Sequence, residues 1–307
     1  MNKPTVQCPV CNTQAYWWCR QTDCEYFTTD ENFNYYKCSN CHLLFIDEPP
    51  VSQLAVIYPS HYYSFATPGK NLVFKIKEHL DKRLFKKILK NIPGNNLTVL
   101  DIGGGSGWLL NTVRELDTRI TSTAVVDLDS QAAVTAMANG HQYYQSRIET
   151  FNTDIKFDLV IMLNLIEHVA SPQQVLEKIR SFLSDTGCIV IKTPNCESWD
   201  ARLFRKGYWG GLHCPRHWNI FDKKSFETIV TRANLQIANL SYTQGAPFWT
   251  YSVLTGLMGK TLKAKGKPLI EHPLFPVFSA FFAIFDFIRR IFVPTSQMFV
   301  ILRNKPR

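Results

Sequence analysis

The sequence is short of acidic residues, and it has no apolar segment at its N-terminus. Its 25 Asp and Glu face 34 Lys and Arg, which leaves a formal net charge of +9. This excess indicates an anionic partner, without choosing among nucleic acid, anionic lipid and a phosphorylated substrate. Because residues 1–4 lead into polar sequence with no apolar h-region, we expect no secretory signal and a cytoplasmic protein. The hydrophobic content of 45% argues against global disorder.

A long uninterrupted apolar stretch is also missing, although phenylalanine recurs at near-helical spacing between residues 274 and 293. This segment is interrupted by one proline and three charged residues, Pro276, Asp286, Arg289 and Arg290, which argues against a membrane-spanning helix. Residues 245–307 carry nine Lys and Arg against two acidic residues, a net charge of 9 − 2 = +7. We expect helices that pack on the domain or form a homodimer. Peripheral contact with an anionic membrane, at its inner face, is the alternative.

Nine cysteines are present, and six of them lie within the first 60 residues. Disulfide scaffolds are typical of short secreted chains, so cysteine pairs in a chain of this length without a signal indicate a metal site. Two C-x-x-C pairs, with 26 residues between the inner cysteines, supply four thiolates for one tetrahedral ion. Cys19 and Cys24 are spaced too widely for another pair, and we interpret them as spare or as a replacement ligand. The pattern predicts a structural zinc in a zinc ribbon over residues 1–60, held by Cys8, Cys11, Cys38 and Cys41.

From residue 97 onward the pattern alternates between strands and helices. Apolar runs predict strands at 97–101, 124–126, 157–163, 188–192, 236–240 and 298–302. Capping and periodicity predict helices at 108–115, 129–137, 171–183 and 223–233. Such alternation builds an α/β fold with a parallel sheet, helices on both faces and ligand sites at the strand ends.

These patterns divide the chain into three parts. The ribbon occupies residues 1–60, and residues 61–96 form a linker with a basic amphipathic helix at about 70–92. We expect this helix to cap the following domain; contact with a membrane surface or RNA is the alternative. Residues 97–307 form the main domain, in which 244–297 is an apolar helical insertion.

A glycine-rich turn follows the first predicted strand of this domain. The strand delivers Asp101 to its carboxyl end, and the chain then reverses through Gly103, Gly105 and Gly107 into a helix. Glycines tolerate positive φ and let the backbone approach a ligand closely. The spacing D-x-G-x-G-x-G differs from the G-x-G-x-x-G that binds a pyrophosphate, which argues against a nicotinamide cofactor.

Residues 99–107 resemble the first motif of the class I S-adenosylmethionine-dependent methyltransferases, and three further motifs follow in the order of that family. Residues 125–129 are similar to the second motif, whose acid holds the cofactor ribose; this implies Asp127, with Asp129 as the fallback. Residues 147–149 stand where the family contacts adenine, and residues 157–169 resemble the fourth motif. The resemblance implies a Rossmann-like seven-stranded sheet with an antiparallel last strand. It also implies a cofactor site formed by Asp101, Gly103, Gly105, Gly107, Asp127, Leu128, Ile148 and Asn164.

With a zinc ribbon ahead of this domain, the chain resembles one subgroup of the family. The enzymes of this subgroup act on nucleotide-linked sugars or are found among polysaccharide-biosynthesis proteins. That resemblance implies a small-molecule acceptor, a sugar nucleotide or a glycolipid. The tyrosine-rich run at residues 58–63 is also similar to the subgroup, and its tyrosines cover the cofactor, contact the acceptor or pack on the core.

Two places offer side chains for the acceptor. His168 follows the fourth motif, where an imidazole suits proton removal near neutral pH. In the loop after the next strand, Arg216 can bind a phosphate or carboxylate through its planar fork, and His217 can act as base or hydrogen-bond partner. These three residues are the predicted catalytic set.

Other functions remain as alternatives to methyl transfer onto a sugar. An RNA methyltransferase fits the ribbon and the charge, but residues 164–167 lack the Asn/Asp-Pro-Pro-Tyr element of base-amine methylation, so we do not expect nucleic acid as a partner. A quinone or lipid O-methyltransferase is a second alternative. A catalytically silent scaffold is a third, and the intact acidic and glycine positions oppose it.

Overall fold

Two sheets organise the residues that the computed structural model describes, 6–59, 72–264 and 267–306. The smaller sheet is antiparallel and has the order β1-β2-β3-β4-β10. Its strands are β1 (Val6–Gln7), β2 (Gln14–Gln21), β3 (Phe33–Cys38), β4 (Leu44–Ile46) and β10 (Asn219–Ile220). Because β10 comes from the main domain and pairs with β4, backbone hydrogen bonds join the ribbon to that domain.

The larger sheet has seven strands in the order β11-β12-β9-β8-β5-β6-β7. Its strands are β5 (Leu97–Ile102), β6 (Ile120–Asp127), β7 (Gln142–Gln145), β8 (Phe157–Leu163), β9 (Leu183–Pro194), β11 (Leu235–Thr243) and β12 (Gln297–Asn304). The first five of these pair in parallel, and β12 lies antiparallel between β9 and β11. The predicted Rossmann-like sheet with an antiparallel last strand is therefore confirmed.

Helices cover both faces of this sheet and extend beyond its edge. They are α1 (Leu54–Ile57), α2 (Leu72–Lys90), α3 (Trp108–Leu116), α4 (Ser130–Ala138), α5 (Pro172–Ser181), α6 (Trp199–Leu203), α7 (Lys223–Arg232), α8 (Ala246–Ala264) and α9 (Phe275–Arg289).

Successive residues of the central strands point to opposite faces, and both faces are buried, as in parallel sheets covered by helices. Leu100 and Ile189 lie in one core cluster with α5, α7 and the ribbon. Val99 and Val190 lie in another with α2 and α3. The ribbon thus shares the core of the main domain.

The sequence-based prediction missed two short strands. Strand β7 has a partly exposed, polar sequence, and β10 is only two residues long, so neither produces an apolar run. In α2, Phe85 is buried, while Leu80 is 46% exposed. Phe85 lies in the same core cluster as Val113 of α3, so this part of α2 packs against the main domain.

The apolar insertion forms the helical pair α8 and α9. Phe278, Phe282 and Phe285 of α9 pack with Trp249 of α8. Within the described ranges, no helix combines the length and hydropathy needed to cross a bilayer.

Candidate active site

The glycine turn after β5 has the backbone that its sequence predicts. Gly103, Gly105 and Gly107 have φ angles of +77°, +52° and +74°. A Cβ added at Gly104 would lie 2.7 Å from Cγ of Asp101, whereas one at Gly105 would meet no atom within 4 Å. The turn is therefore packed from below by Asp101 and open on the side of Gly105, where a ligand can approach the backbone.

Asp127, at the end of β6, faces this turn. Its Oδ2 accepts a hydrogen bond of 2.9 Å from the backbone N–H of Gly105, and its Oδ1 accepts one of 3.0 Å from the N–H of Asp129. Asp129 is instead the N-cap of α4, where its Oδ1 accepts from the N–H groups of Gln131 and Ala132. The geometry favours Asp127 over Asp129 as the acid for the ribose.

Asp101 lies beneath the turn. Its side chain is buried, and burial together with the charge of Asp127 raises the pKa of Asp101 to about 8. A protonated Asp101 does not repel Asp127. It therefore supports the turn from inside the domain.

The remaining predicted cofactor residues have different environments. Leu128 is 58% exposed next to Asp127, as expected of an apolar surface for a flat ring. The side chain of Ile148 is buried in the core, which leaves its backbone for the cofactor. Asn164 has a positive φ of 53° at the end of β8, and its Oδ1 accepts from Nε2 of Gln297 at 3.2 Å. The neighbouring Leu165 lies 3.4 Å from a Cβ built on Gly103, so the turns after β5 and β8 adjoin.

These residues fit S-adenosylmethionine. The open backbone at Gly105, the carboxylate of Asp127 beside it and the exposed Leu128 form one continuous edge at the carboxyl ends of β5 and β6. Parallel sheets bind ligands at this edge.

Three histidines meet beside the end of β8. The ring centroids of His168 and His217 are 4.7 Å apart, and His213 lies 5.0 Å from His217 and 6.4 Å from His168. We call His168, His213 and His217 the histidine cluster. Sequence reasoning identified two of its members, and the third, His213, adopts a left-handed backbone with φ of 39°.

His168 is held by backbone and by a tyrosine. Its Nδ1 lies 3.0 Å from the carbonyl oxygen of Arg216 and 2.9 Å from the hydroxyl of Tyr58. A carbonyl only accepts, so Nδ1 carries the proton and Nε2 keeps its lone pair. Burial lowers the pKa of His168 to about 3, which keeps the imidazole neutral near pH 7. Tyr58 thus contacts His168, while residues 60–63 of the same run lie outside the described residues.

His217 has the same arrangement in a more enclosed position. Its Nδ1 donates to the carbonyl oxygen of Gly211 at 2.8 Å, and burial lowers its pKa well below the usual value. Its Nε2 lies 3.9 Å from Oε1 of Glu167. Both rings therefore present an unprotonated Nε2.

Arg216 does not have the position that the sequence suggested. Its side chain is fully buried, and its Nη2 donates to Oδ2 of Asp23 at 2.8 Å while Nε donates to the carbonyl of Ile57 at 2.7 Å. The guanidinium also stacks on Tyr26, 4.6 Å from the ring centroid. The prediction that Arg216 binds a phosphate or carboxylate of the acceptor is wrong, because its charge is neutralised inside the protein by Asp23.

Two acidic residues of the ribbon were missed by sequence reasoning. Asp23 pairs with Arg216, and Glu25 accepts from Nδ1 of His213 at 2.5 Å and from the hydroxyl of Tyr208 at 2.7 Å. Burial acts to raise the pKa of Asp23, but the charge and hydrogen bonds of Arg216 bring it down to about 2. No motif marks these residues, since both lie in the irregular segment after β2. They connect the ribbon to the histidine cluster.

Glu167 is buried between the cluster and β9. Its Oε2 accepts from Thr193 at 3.0 Å, its Oε1 has no partner in the described part of the chain, and burial raises its pKa to about 8. One ligand atom each of Glu167, His168 and His217 lies within 4.8 Å of the others, so this group has the spacing of a metal site.

The four predicted zinc ligands converge in the ribbon. The Sγ atoms of Cys8 and Cys41 are 3.6 Å apart, those of Cys11 and Cys38 are 3.3 Å apart, and all four lie within 4.8 Å of one another. The N–H of Cys41 also donates to Sγ of Cys38 at 3.4 Å. This donor set fits a tetrahedral zinc whose role is to hold the ribbon, with no open position for chemistry. Cys19 and Cys24 lie outside the set, and burial raises the pKa of each to about 12.

Curated relatives match part of this chain. The mitochondrial ubiquinone biosynthesis O-methyltransferase of Dictyostelium discoideum is 29% identical over 199 residues, which cover 54% of this chain and 60% of that protein. The ubiquinone biosynthesis O-methyltransferase of Rickettsia prowazekii (strain Madrid E) is 28% identical over 135 residues, 41% of this chain and 54% of that protein. The chain thus spans three fifths or less of the length of these two relatives.

Solved structures share the fold. A crystal structure of coclaurine N-methyltransferase bound to N-methylheliamine and SAH has a TM-score of 0.50 and 12% identity, and the match covers 83% of this chain and 81% of that one. At this identity the likeness concerns the fold alone.

The family described as "Methyltransferase domain" matches residues 76–240, which are 165 of the 307 residues. That range contains the glycine turn, Asp127 and the end of β8. The chain therefore belongs to the class I S-adenosylmethionine-dependent methyltransferases.

Proposed function

We propose that this chain transfers a methyl group from S-adenosylmethionine to a hydroxyl oxygen of a small molecule that carries an apolar ring or chain, such as a quinone precursor. The observation that carries this proposal is the histidine cluster, in which the imidazoles of His168 and His217 are neutral and His168 follows the turn after β8 that adjoins the glycine turn. The names of the relatives, which specify O-methylation in ubiquinone biosynthesis, support it.

When bound, the cofactor supplies an electrophilic methyl group on a sulfonium. The protein must align the acceptor oxygen in line with that methyl and remove the hydroxyl proton. We assign the proton to Nε2 of His168, because the carbonyl of Arg216 fixes the tautomer. Tyr58 and His217 flank this ring and hold its orientation.

A nucleotide-linked or lipid-linked sugar, with a role in surface-polysaccharide assembly, is the second candidate acceptor. It was favoured by the ribbon and by Arg216 as a phosphate ligand. Pairing of Arg216 with Asp23 removes the second of these arguments. The hydroxyl chemistry at His168 would be the same for either acceptor.

We further propose that the four cysteines bind one structural zinc. The ribbon supplies Asp23 and Glu25 to the acceptor side, so the metal would stabilise the histidine cluster without touching the reacting atoms.

The test is transfer of labelled methyl from S-adenosylmethionine to four acceptor classes: prenylated phenols or quinols, sugar nucleotides, polyprenyl-linked sugars and RNA. We expect label on the prenylated phenol or quinol oxygen. His168→Ala should lower kcat by about a hundredfold while leaving cofactor affinity unchanged, since general base catalysis contributes about 10²–10⁴ in rate. His79→Ala, an exposed histidine of α2, is the matched control.

Preferential labelling of a sugar nucleotide, a lipid-linked sugar or RNA would overturn the acceptor assignment. Full activity of His168→Ala across the pH range would overturn the assignment of the base. Absence of cofactor binding at micromolar concentrations would favour the scaffold alternative.

A further inference from the structure

One face of α9 and of the turn after it concentrates exposed apolar side chains. Spacings of three and four residues place these side chains on one side of the helix. Five of them define what we call the α9 face, with exposed fractions of 61% for Val277, 62% for Phe281, 65% for Ile284, 58% for Ile288 and 73% for Ile291. Phe287 and Phe292 are also exposed beside it and make the face wider than a single helical seam.

The two charged residues within α9, Asp286 and Arg289, point away from this face. Asp286 is fully buried and accepts from the N–H of Gly245 at 2.9 Å and from Nη2 of Arg289 at 2.7 Å. Arg289 is itself buried and lies 5.0 Å from the ring of Trp199. The outer side of α9 is therefore apolar although its sequence contains an ion pair.

The exposed charge within α9 and the turn after it is basic. Between residues 275 and 293 Asp286 is the acidic residue, and it is buried. Arg290 is exposed, with its guanidinium 4.2 Å from the ring centroid of Phe287. Trp199 is half-exposed next to α9, as is typical of aromatic residues at a membrane interface.

We propose that the α9 face binds the surface of an anionic lipid bilayer, with the helix lying in the plane of the interface. Exposed Phe and Ile side chains insert between the lipid chains, while Arg290 contacts the anionic headgroups. A second copy of the chain is a poorer occupant, because a two-fold contact through the α9 face would bring two exposed Arg290 side chains together, and the face itself carries no exposed acid.

The position of α8 gives this surface a connection with the active site. Phe248, near the start of α8, lies 6.5 Å from the ring of His217, and the same helix packs against α9. An acceptor with a lipid-like tail would therefore pass from the bilayer, along α8, to the histidine cluster. That step rests on the proposed function, whereas bilayer binding does not.

Co-sedimentation of the full chain with vesicles tests the proposal. We expect binding to vesicles of phosphatidylcholine and phosphatidylglycerol, and weaker binding to phosphatidylcholine alone or at high salt. The combined substitution Phe281→Gln, Ile284→Gln and Ile288→Gln should lower the vesicle affinity by at least about tenfold, through loss of buried apolar area. Arg290→Gln should lower the affinity for anionic vesicles alone.

The matched control is Val134→Gln with Met137→Gln on α4, which removes comparably exposed apolar side chains elsewhere. Circular dichroism should show all variants folded, because the substituted residues are exposed. Unchanged vesicle binding by the α9 variant, or a dimer in vesicle-free solution that this variant dissociates, would overturn the proposal. The α9 variant should still transfer methyl groups to a short-chain, water-soluble acceptor. If the wild-type chain itself does not methylate that acceptor, the result counts against the proposed function and not against bilayer binding.

Discussion

Asp127 and Asp129 lie two residues apart, and the structure assigns them different tasks. Asp127 faces the glycine turn and Asp129 caps α4. We expect Asp127→Ala to weaken cofactor binding by about tenfold to a hundredfold, since a hydrogen bond to a charged group contributes about 1.5–3 kcal/mol. Calorimetric titration with S-adenosylmethionine measures this effect.

Asp129→Ala is the matched control for that experiment. Loss of an N-cap should cost about 1 kcal/mol of stability while leaving the cofactor affinity unchanged. If Asp129→Ala lost affinity and Asp127→Ala kept it, the two assignments would have to be exchanged.

The Asp23–Arg216 pair is the second residue-scale feature. Asp23→Asn should lower the free energy of unfolding by roughly 3–5 kcal/mol, because it leaves the buried Arg216 without a counter-charge. Denaturant unfolding measures the loss. Asp30→Asn, which breaks the exposed contact with Lys263, should cost less than about 1 kcal/mol. Equal effects of the two substitutions would contradict a structural role for the buried pair.

At the scale of elements, the proposed zinc would make the folding of the ribbon depend on a metal ion. We expect about one zinc per chain by metal analysis, because four thiolates close a tetrahedral site. Cys38→Ser should lose the metal and lower the free energy of unfolding, whereas Cys196→Ser, also buried but outside the cluster, should retain it. A metal-free wild-type chain with full stability would exclude the zinc proposal.

The glycine turn is a second element, and neighbouring residues explain why it needs glycine at two positions. Gly104 has an ordinary φ, yet its missing Cβ is where the Asp101 carboxyl lies. Gly105 has open space but a positive φ. Gly104 is thus required by packing, and Gly105 is required by backbone conformation.

For the whole molecule, two neutral histidines, one buried and one partly buried, link folding to pH. An unfolded histidine binds a proton near pH 6.5, whereas burial lowers the pKa of His168 to about 3 and that of His217 well below its usual value. Through these two histidines the unfolded chain binds more protons between these values, which by itself lowers the free energy of unfolding as the pH drops from about 6.5 towards 3. The raised pKa values of Asp101 and Glu167, both about 8, act in the opposite direction above about pH 4, so the slope is compared between the wild-type chain and a histidine variant.

Denaturant unfolding over this pH range measures that slope. His168→Gln should reduce the slope by up to about 1.4 kcal/mol per pH unit, the value for one linked proton. His79→Gln, exposed on α2, should leave it unchanged. A slope identical in His168→Gln and the wild-type chain would show that His168 is not held neutral in the folded chain.

Sequence alone determined the donor side of this protein, because that side is local. The glycine turn, Asp127 and the cysteine pairs each lie within a few consecutive residues, so spacing and residue type define them. The order of strands and helices followed from periodicity for the same reason.

Only the tertiary structure decided the acceptor side. His168 and Arg216 stand 48 residues apart, and Arg216 meets Asp23 across 193 positions. Burial then changes their chemistry: it removes Arg216 from the surface and suppresses the charge of His168. The exposure of the α9 face was likewise undecided in sequence, since which side of an apolar helix packs depends on its partner α8. Long-range pairing and burial are properties of the folded chain, and no local pattern encodes them.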